Sequence, residues 1–315
     1  MANAVIPAWR DLLDSTITPQ EDEELRWLQQ SPFLTSKGPF WYRGNAFCHR
    51  QIEAGVVDRA LANFGVKRLV MGHSPTTTRR IQQRFAGKVI LADTGMLHSY
   101  YRGQPSALIQ DSEGLRFAYA DAQEITEVIS APGSDGRTQL DLAQWRTFMN
   151  ELDYQQDPTG KAAPVTFKGR QYQPVFTPDN RRNNESKVAA YLLDQALGIG
   201  MVPTTVERSI VGRSGALSLL PTDVINEAQR VADNVYRPNY CADTNDYQLM
   251  YIFDALIRNT SRTQESMLYD RSSMALVLTL TERAFATSTS IPEYLAAVPK
   301  SIPGPLAARL NELDE

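Results

Sequence analysis

Residues 131–137, with the sequence APGSDGR, form the clearest interruption in the chain. One proline, two glycines and small polar residues in so short a stretch are typical of a loop or linker, because they favour neither a helix nor a strand. We therefore predict a domain boundary there. The predicted organisation is a first domain over 1–130, a linker and helix over 131–160, and a second domain over 161–315. Both domains are long enough to bury a core.

The first domain alternates helical and strand patterns. Apolar residues recur at helical spacing, short apolar runs predict strands, and a Glu-Gly pair predicts a hairpin turn. A succession of strand, helix and strand predicts an α/β fold. The helices are predicted at 22–30 and 52–64, the strands at 67–72 and 88–95, and the hairpin within 105–121.

The second domain mixes helices with short β-rich segments, which predicts an α+β fold. The helices are predicted at 140–152, 184–200 and 246–259, and the β-rich segments at 164–169, 173–178, 201–212 and 215–220. Apolar positions on the last two helices and beyond are expected to face the core: Val188, Tyr191, Leu192, Leu197, Phe253, Leu256, Ile257 and Met267.

Composition and charge exclude several classes of protein. Hydrophobic residues make up 42% and charged residues 22%, and the net charge is -4, so no general attraction to nucleic acid or to an anionic membrane is expected. The N-terminus lacks the pattern of a secretory signal, and no run approaches the roughly 20 apolar residues of a spanning helix. We therefore expect a cytoplasmic protein. Cys48 and Cys241 lie far apart without a partner motif, and we interpret them as buried or incidental thiols rather than a disulfide or a metal site.

Gly72 and His73 follow a predicted strand, where α/β folds expose side chains to ligands. The segments GPFWYRG, LVMGHSPT, RFAGKVILADTGM and YYRGQPSALI occur in this order over residues 38–110. This set resembles the C-terminal half of calcineurin-like metallophosphoesterases. The resemblance implies that His73 is a metal ligand and that Arg43 binds phosphate, whereas a lone histidine at a strand end is more often a structural residue.

The chain departs from that family ahead of residue 38. The family supplies most metal ligands from N-terminal Asp-x-His, Gly-Asp and Gly-Asn-His motifs, and these are missing. The three histidines of the chain cannot rebuild a two-metal site by rearrangement. A divalent metal, Mn or Mg, is therefore expected at His73 only if other ligands come from another chain or from a missing N-terminal segment. Asp93 could assist such a site, but a cap on the following turn is the preferred interpretation.

From about residue 165 onwards the chain resembles atypical kinases, the group that includes phosphatidylinositol-kinase-like and secretory-kinase-like folds. The segments that carry the resemblance are PVFTPDN, KVAAYLLDQALGIGMVPTTVERSIVG, FDALIRNTSRTQESMLYD and LTLTERAF. Kinases need a strand lysine for the nucleotide phosphates, a helix glutamate that orients it, an aspartate that accepts the substrate proton, and an asparagine and an aspartate that bind magnesium. Each position can be compared with this chain.

All five positions differ. Thr177 occupies the position of the strand lysine, and Lys187 occupies the position of the helix acid. Glu185 lies two residues before Lys187. Ser261 replaces the proton-accepting aspartate and Ser266 the metal-binding asparagine. The segment LTLTERAF has Glu282 as its only acid. A serine hydroxyl is neutral and gives magnesium no charge, so we predict a kinase-like domain with degenerate catalytic motifs.

Within the same loop, Asn259 and Arg262 are expected to hydrogen-bond the loop backbone. Because most phosphoesterase metal ligands and all five kinase catalytic residues are absent, we predict a non-catalytic binding or regulatory protein. The alternative is a metal-dependent phosphoester hydrolase whose missing metal ligands come from another chain or from a missing N-terminal segment. Since the N-terminal sheet should be incomplete, a protein partner or self-association is expected. Any nucleotide binding is expected to be weak and metal-independent, because Thr177 removes the usual phosphate anchor.

Overall fold

The structure is a computed structural model. It describes residues 18–31, 38, 41–76, 79–112, 114–120, 122–125, 129–130, 139–156, 161–167, 170–179, 183–235, 241, 243–271, 274–279, 281, 283–285 and 302–313. The chain divides into two units, 1–44 and 45–315. The predicted linker at 131–137 lies outside the described residues, so the predicted domain boundary stays a prediction.

The secondary structure follows the predicted order closely. The helices are α1 (Pro19–Gln30), α2 (Gly44–Phe47), α3 (Arg50–Phe64), α4 (His98–Tyr101), α5 (Gln139–Glu151), α6 (Asn183–Leu197), α7 (Glu227–Ala232), α8 (Asp243–Leu256) and α9 (Gly304–Leu313). The strands are β1 (Leu69–Met71), β2 (Gln82–Arg84), β3 (Val89–Leu91), β4 (Ser106–Asp111), β5 (Gly114–Tyr119), β6 (Ala122–Ile125), β7 (Ile129–Ser130), β8 (Val165–Phe167), β9 (Arg170–Pro178), β10 (Thr204–Ile210), β11 (Arg213–Pro221), β12 (Val224–Asn226), β13 (Met267–Asp270) and β14 (Leu276–Leu278).

The N-terminal sheet has the strand order β1-β3-β2-β7. Strands β1 and β3 are parallel, so their carboxyl ends lie at the same edge of the sheet. Helix α3 packs against this sheet through Val57, which is 2% exposed, beside Val89 and Leu91. The antiparallel sheet β4-β5-β6 contains the predicted hairpin. Strand β2 was missed because its sequence, Gln-Gln-Arg, carries no apolar pattern.

Arg84 on β2 explains why so polar a strand is buried. Its side chain is 1% exposed and donates to the carbonyl oxygens of Asn45 at 2.7 Å and Cys48 at 2.5 Å. A buried guanidinium is tolerated only when its N–H groups find hydrogen-bond acceptors. Here the acceptors are the backbone carbonyls of residues 45 and 48. Arg84 therefore holds residues 45–48 against the N-terminal sheet.

The C-terminal sheet is antiparallel, in the order β10-β11-β9-β8. One face packs against α5, where the Trp145 ring lies 4.2 Å from that of Phe167 and 5.0 Å from that of Tyr172, measured between centroids. Helix α6 connects β9 to β10 and packs against β10 and β11. The sheet β12-β13-β14 follows, with α8 between β12 and β13 in the chain.

The largest core of the second unit joins α6, α8, β13, β14 and α9. Burying each large apolar side chain there contributes about 1.5–3 kcal/mol. Tyr191, Leu197, Phe253, Ile257 and Met267 are buried as predicted. Two of the predicted core positions are wrong, because they lie on the outer side of their helices: the side chains of Leu192 and Leu256 are 54% and 40% exposed.

The interpretation of the two cysteines as buried or incidental thiols without a disulfide is wrong. Cys48 and Cys241 form a disulfide with their Cα atoms 5.4 Å apart, although 193 residues separate them in the chain. Such a distance is in the ordinary range for a disulfide. The bond joins the residues just ahead of α3 to the segment just ahead of α8. Only the tertiary fold brings these two segments together.

Residues 49–51 also bind the C-terminal end of α6. Gln51 Nε2 donates to the carbonyl oxygen of Leu197 at 2.7 Å, and His49 Nε2 lies 2.6 Å from that of Ile199. The guanidinium of Arg50 lies where a side chain at Gly198 would stand, and Gly198 has a φ of +66°. Glycine is therefore required there on two grounds, and the α3 segment caps the carbonyls at the end of α6.

Candidate functional site

The 257–266 loop is the stretch that links α8 to β13, and its centre is a buried ion pair. Asp254, in the last turn of α8, is fully buried. Its carboxylate accepts hydrogen bonds from Arg262 Nε at 2.8 Å and Nη2 at 2.7 Å, and from Asn259 Nδ2 at 3.0 Å. Because Arg262 binds the carboxylate through two nitrogens, the pair fixes the loop against the helix.

The same two loop residues also bind the backbone. Arg262 Nη1 donates to the carbonyl oxygens of Ser266 at 3.4 Å and Thr279 at 2.5 Å, and the side-chain oxygen of Asn259 accepts from the Ser261 amide at 3.1 Å. The predicted roles of Asn259 and Arg262 are confirmed. Asp254 was missed by sequence reasoning, although an acid inside the apolar run YIFDALI was a signal, since a buried carboxylate needs a partner.

The two serines at the predicted catalytic positions have different environments. Ser266 is 1% exposed, and its hydroxyl donates to the Thr263 carbonyl and accepts from the Thr263 amide, both at 2.9 Å. This pair caps a short 3-10 helix, Gln264–Ser266. Ser261 Oγ is buried and has no hydrogen-bond partner within the described part of the chain. Neither serine has the carboxylate or amide group with which kinases bind a metal ion.

Thr177 and Lys187 contact each other directly. Lys187 Nζ, on α6, donates to Thr177 Oγ1, on β9, at 3.0 Å. The two residues that replace the strand lysine and the helix acid are therefore hydrogen-bonded side chains. Glu185, two residues upstream of Lys187, is exposed. Glu282 lies outside the described residues, and its predicted place in the motif stays a prediction.

The carboxyl edge of the N-terminal sheet carries the other candidate residues. His73 follows β1, its side chain is exposed, and its backbone is left-handed with a φ of +61°. Asp93 follows β3, and its Oδ1 accepts from the Gly95 amide at 2.9 Å. The carbonyl of Asp93 also accepts from the Thr76 amide at 2.8 Å, which joins the two loops. The preferred interpretation of Asp93 as a turn cap is confirmed.

This edge does not assemble a metal centre from the described residues, among which no three of His, Cys, Asp or Glu are grouped closely enough to hold an ion. The other two histidines bind backbone. His98 Nδ1 lies 3.1 Å from the Gly103 carbonyl. His49 Nδ1 accepts from the Gln51 amide at 3.2 Å, so Nε2 carries the proton it donates to Ile199. Metal binding at His73 stays a prediction.

Arg43 belongs to the unit 1–44. Its side chain is 8% exposed, Nη1 donates to the Tyr42 carbonyl at 3.1 Å, and the guanidinium lies 5.6 Å from the centre of the Trp41 ring. These contacts anchor the side chain within its own segment. The phosphate-binding role that the resemblance implies for Arg43 stays a prediction.

A second polar network lies beside α8. The Glu227 carboxylate accepts from Arg230 at 2.6 and 2.9 Å and from the Tyr247 hydroxyl at 3.2 Å, and Tyr247 contacts the hydroxyl of Tyr269 at 2.8 Å. The hydrogen bonds from Arg230, together with its charge and the bond from Tyr247, hold the pKa of Glu227 below its ordinary value of 4.5, against the opposing effect of burial. This network ties α7 to α8 and β13.

Among the described residues, no helix is long and apolar enough to cross a membrane. No protein-family model matches the chain. The chain is 33% identical over 97 residues to an uncharacterized protein of Schizosaccharomyces pombe, and the match covers 31% of this chain and 26% of that protein. The chain thus spans about a quarter of the length of this curated relative, and the relative's description assigns it no activity.

Proposed function

We propose that the protein is a non-catalytic binding or regulatory protein, in which a kinase-like domain without catalytic groups is joined to part of a phosphoesterase-like domain. The observation that carries the proposal is the 257–266 loop. The Asp254–Arg262 ion pair keeps the loop in one conformation, while the position of the metal-binding asparagine holds Ser266, whose hydroxyl caps the loop's own backbone. These contacts support a loop that is held by its own side chains and lacks the reactive groups of a kinase.

The Thr177–Lys187 contact supports the same proposal. In active kinases a strand lysine and a helix glutamate form an ion pair, and both must be in place for phosphoryl transfer. The residues aligned with those two positions are Thr177 on β9 and Lys187 on α6. Lys187 Nζ lies 3.0 Å from Thr177 Oγ1. The contact supports the alignment, and the residue types exclude the usual lysine–glutamate pair.

Phosphotransfer measurements test the proposal. The purified full-length chain is incubated with radiolabelled ATP and Mg²⁺ or Mn²⁺, beside its Glu185→Gln and Glu282→Gln variants. We expect equal background signals in all three proteins, because a serine cannot accept the substrate proton or hold magnesium. If the native chain transfers phosphate and either variant abolishes this activity, the protein is an enzyme that uses Glu185 or Glu282 in place of the usual catalytic residues.

A phosphoester hydrolase completed by another chain is the second candidate, and the position of His73 supports it. His73 follows β1 at the carboxyl edge of the parallel pair β1 and β3, where α/β folds bind ligands, and its side chain is exposed. Metal analysis tests the idea on the protein purified from its own cells together with any bound chain and loaded with manganese: equal metal in the native protein, His73→Ala and the control His98→Ala would eliminate it.

A partner chain is expected at strand β1. In the described part of the N-terminal sheet β1 pairs only with β3, and its central residue Val70 is 52% exposed. An unpaired strand edge can accept a strand from a second protein or a second copy. Light scattering on the purified chain tests self-association: a mass that rises with concentration and stays monomeric in Val70→Lys supports a β1 contact. A monomeric native chain at all concentrations leaves only a different protein as the partner.

The disulfide bears on the location of the protein. Cytoplasm remains the location expected from the sequence, whereas disulfides such as Cys48–Cys241 generally persist in oxidising compartments. Acid quenching of cells followed by alkylation with a thiol-reactive polymer separates the two cases. Two free thiols would support a reducing compartment such as the cytoplasm, and two blocked thiols an oxidising one.

A further inference from the structure

A cavity of about 410 Å³ lies between helices α3, α8 and α9, and none of the candidate residues above lines it. Its wall on α3 is a single stripe, because Gln51, Gly55 and Arg59 follow one another at intervals of one helical turn. Asn245 and Gln248, in the first two turns of α8, form the second wall. A cavity of this volume is in the range of small-molecule sites.

The walls of this cavity are fixed by bonds outside it. Helix α3 begins just after Cys48 and α8 just after Cys241, so the disulfide joins the first ends of two walls. The third wall is the stretch from Ile302 into α9, which packs against α3, and Leu306 in this stretch is fully buried in the core. The cavity is therefore pre-formed, as most ligand sites are.

Gln51 brings a buried acceptor to the cavity. Its side chain is 2% exposed, and Nε2 donates to the carbonyl oxygens of Leu197 at 2.7 Å and Gly198 at 3.3 Å. These bonds fix the orientation of the amide. Its Oε1 is buried and has no hydrogen-bond partner within the described part of the chain. A buried acceptor without a donor lowers stability, so a group that donates to Oε1 from the cavity is favoured.

Arg59 gives the cavity its charge. It is exposed, and among the described residues that line the cavity it is the only one with a charged side chain. The lining amides of Asn245 and Gln248 are neutral, and Val56 and Pro305 are apolar. A guanidinium without a lining carboxylate attracts an anion, and its planar fork matches a carboxylate through two parallel hydrogen bonds.

Gly55 lets the guanidinium lie close to the α3 stripe. Arg59 Nη1 lies 3.5 Å from the position that a β-carbon of Gly55 would take, and no left-handed φ requires glycine there. Glycine inside a helix lowers stability relative to alanine, so its presence in α3 is typical of a place where another group approaches the backbone closely. Gln51 lies one turn before Gly55, about 6 Å along the helix axis. That length separates the cation from the buried acceptor.

We propose that this cavity binds a small organic acid. Its carboxylate pairs with Arg59, its apolar chain lies against Val56 and the two prolines at the start of α9, Pro303 and Pro305, and a hydroxyl or amine about one helical turn away donates to Gln51 Oε1. The inference goes beyond the proposed function and depends on neither family resemblance, because the residues that carry it lie outside both sets of candidate site residues.

Ligand-observed NMR titrations of the purified full-length chain test this inference with three probes. The probe 6-hydroxyhexanoate carries both polar groups, hexanoate lacks the hydroxyl, and hexan-1-ol lacks the carboxylate. We expect 6-hydroxyhexanoate to bind at millimolar concentration, hexanoate to bind about 3-fold more weakly, and hexan-1-ol about 10-fold more weakly. These differences correspond to the loss of one neutral and of one charge-assisted hydrogen bond.

Three variants assign the binding to the cavity. Arg59→Met removes the charge but keeps an apolar side chain, so it should weaken 6-hydroxyhexanoate about 10-fold and leave hexan-1-ol unchanged. Arg68→Met, at an exposed arginine that does not line the cavity, is the matched control and should bind like the native chain. Gly55→Leu fills the cavity and should weaken all three probes. If Gly55→Leu does not fold, Arg59→Met alone decides the test.

Other results overturn the inference. No saturable binding of any probe, or equal binding by the native chain and Arg59→Met, means that Arg59 holds no carboxylate there. Equal losses in Arg59→Met and Arg68→Met reduce the effect to the net charge of the protein. Hexan-1-ol binding as tightly as 6-hydroxyhexanoate excludes an anionic ligand. Hexanoate binding as tightly as 6-hydroxyhexanoate means that Gln51 Oε1 receives no donor from the ligand, the result expected if only water reaches it.

Discussion

The 257–266 loop and the carboxyl edge of the N-terminal sheet, which carry the two sets of predicted site residues, are built differently. The loop surrounds Asp254, a carboxylate with no exposed surface and three hydrogen bonds from side chains. The sheet edge presents His73 to solvent, and the nearby carboxylate of Asp93 accepts one backbone hydrogen bond within its own turn.

The difference indicates which residues of the two regions can change without a large loss of stability. Groups that also hold the fold, such as Asp254 and Arg262, cannot change singly without leaving a buried charge unpaired. The hydroxyl of Ser261, which has no hydrogen-bond partner within the described part of the chain, carries no such penalty. At the sheet edge the side chain of His73 is exposed, so we expect a change there to cost less stability than a change at Asp254.

The largest effect is expected from Asp254→Ala. The substitution leaves Arg262 buried without its carboxylate, which should cost about 3–5 kcal/mol of unfolding free energy. The matched change at the sheet edge, Asp93→Ala, removes one turn cap and should cost about 1 kcal/mol. Urea unfolding of both variants measures the difference. Equal losses would mean that the two regions do not differ as described.

The disulfide gives the next largest effect and connects the start of α3 to the start of α8, the helix that leads into the loop. Reduction, or Cys48→Ser, should lower stability by about 2–4 kcal/mol, because the unfolded chain regains freedom. Thermal unfolding with and without a reductant measures the loss. In Cys48→Ser the reductant should have no further effect, and a native chain indifferent to reductant would contradict the bond.

Acid should weaken the network beside α8. The pKa of Glu227 is lower in the folded state than its ordinary value, so its contribution is present above pH 4.5 and is lost as the pH falls through the folded pKa. We expect Glu227→Gln to remove about 1 kcal/mol at neutral pH and to reduce the acid sensitivity of unfolding. Glu207→Gln, an exposed carboxylate on β10, is the control. Parallel pH profiles for the native chain and Glu227→Gln would contradict this.

The smallest effect is expected at His73. His73→Gly relieves a left-handed backbone that only glycine adopts freely, and should raise stability by up to about 1 kcal/mol despite the added flexibility of the unfolded chain. His73→Ala keeps the β-carbon and should stay within about 0.5 kcal/mol of the native chain. Chemical unfolding compares the two. A large loss in His73→Ala would show that this side chain supports the fold, contrary to the comparison.

Several parts of the fold could be predicted from local patterns. Helices α1, α3, α5, α6 and α8 and strands β1 and β3 follow from apolar spacing, caps and glycines, which act over a few residues. Strand β2 could not be found this way, because Gln82, Gln83 and Arg84 are buried by distant partners rather than by their own hydrophobicity. The exposure of Leu192 and Leu256 was mispredicted for a related reason, since neighbouring elements decide which part of a helical stripe is covered.

The sequence by itself determined the helices and strands with clear apolar spacing and the identity of the residues at the candidate sites, including the serines at positions 261 and 266. Those properties are local, and residue chemistry alone excludes a charged metal ligand there. The tertiary structure decided the pairings across long separations, Cys48 with Cys241 and Gln51 with the end of α6, and also the contact of Lys187 with Thr177 10 residues away. Such contacts depend on how helices and sheets pack, because the neighbours of each residue in the chain give no sign of its partner.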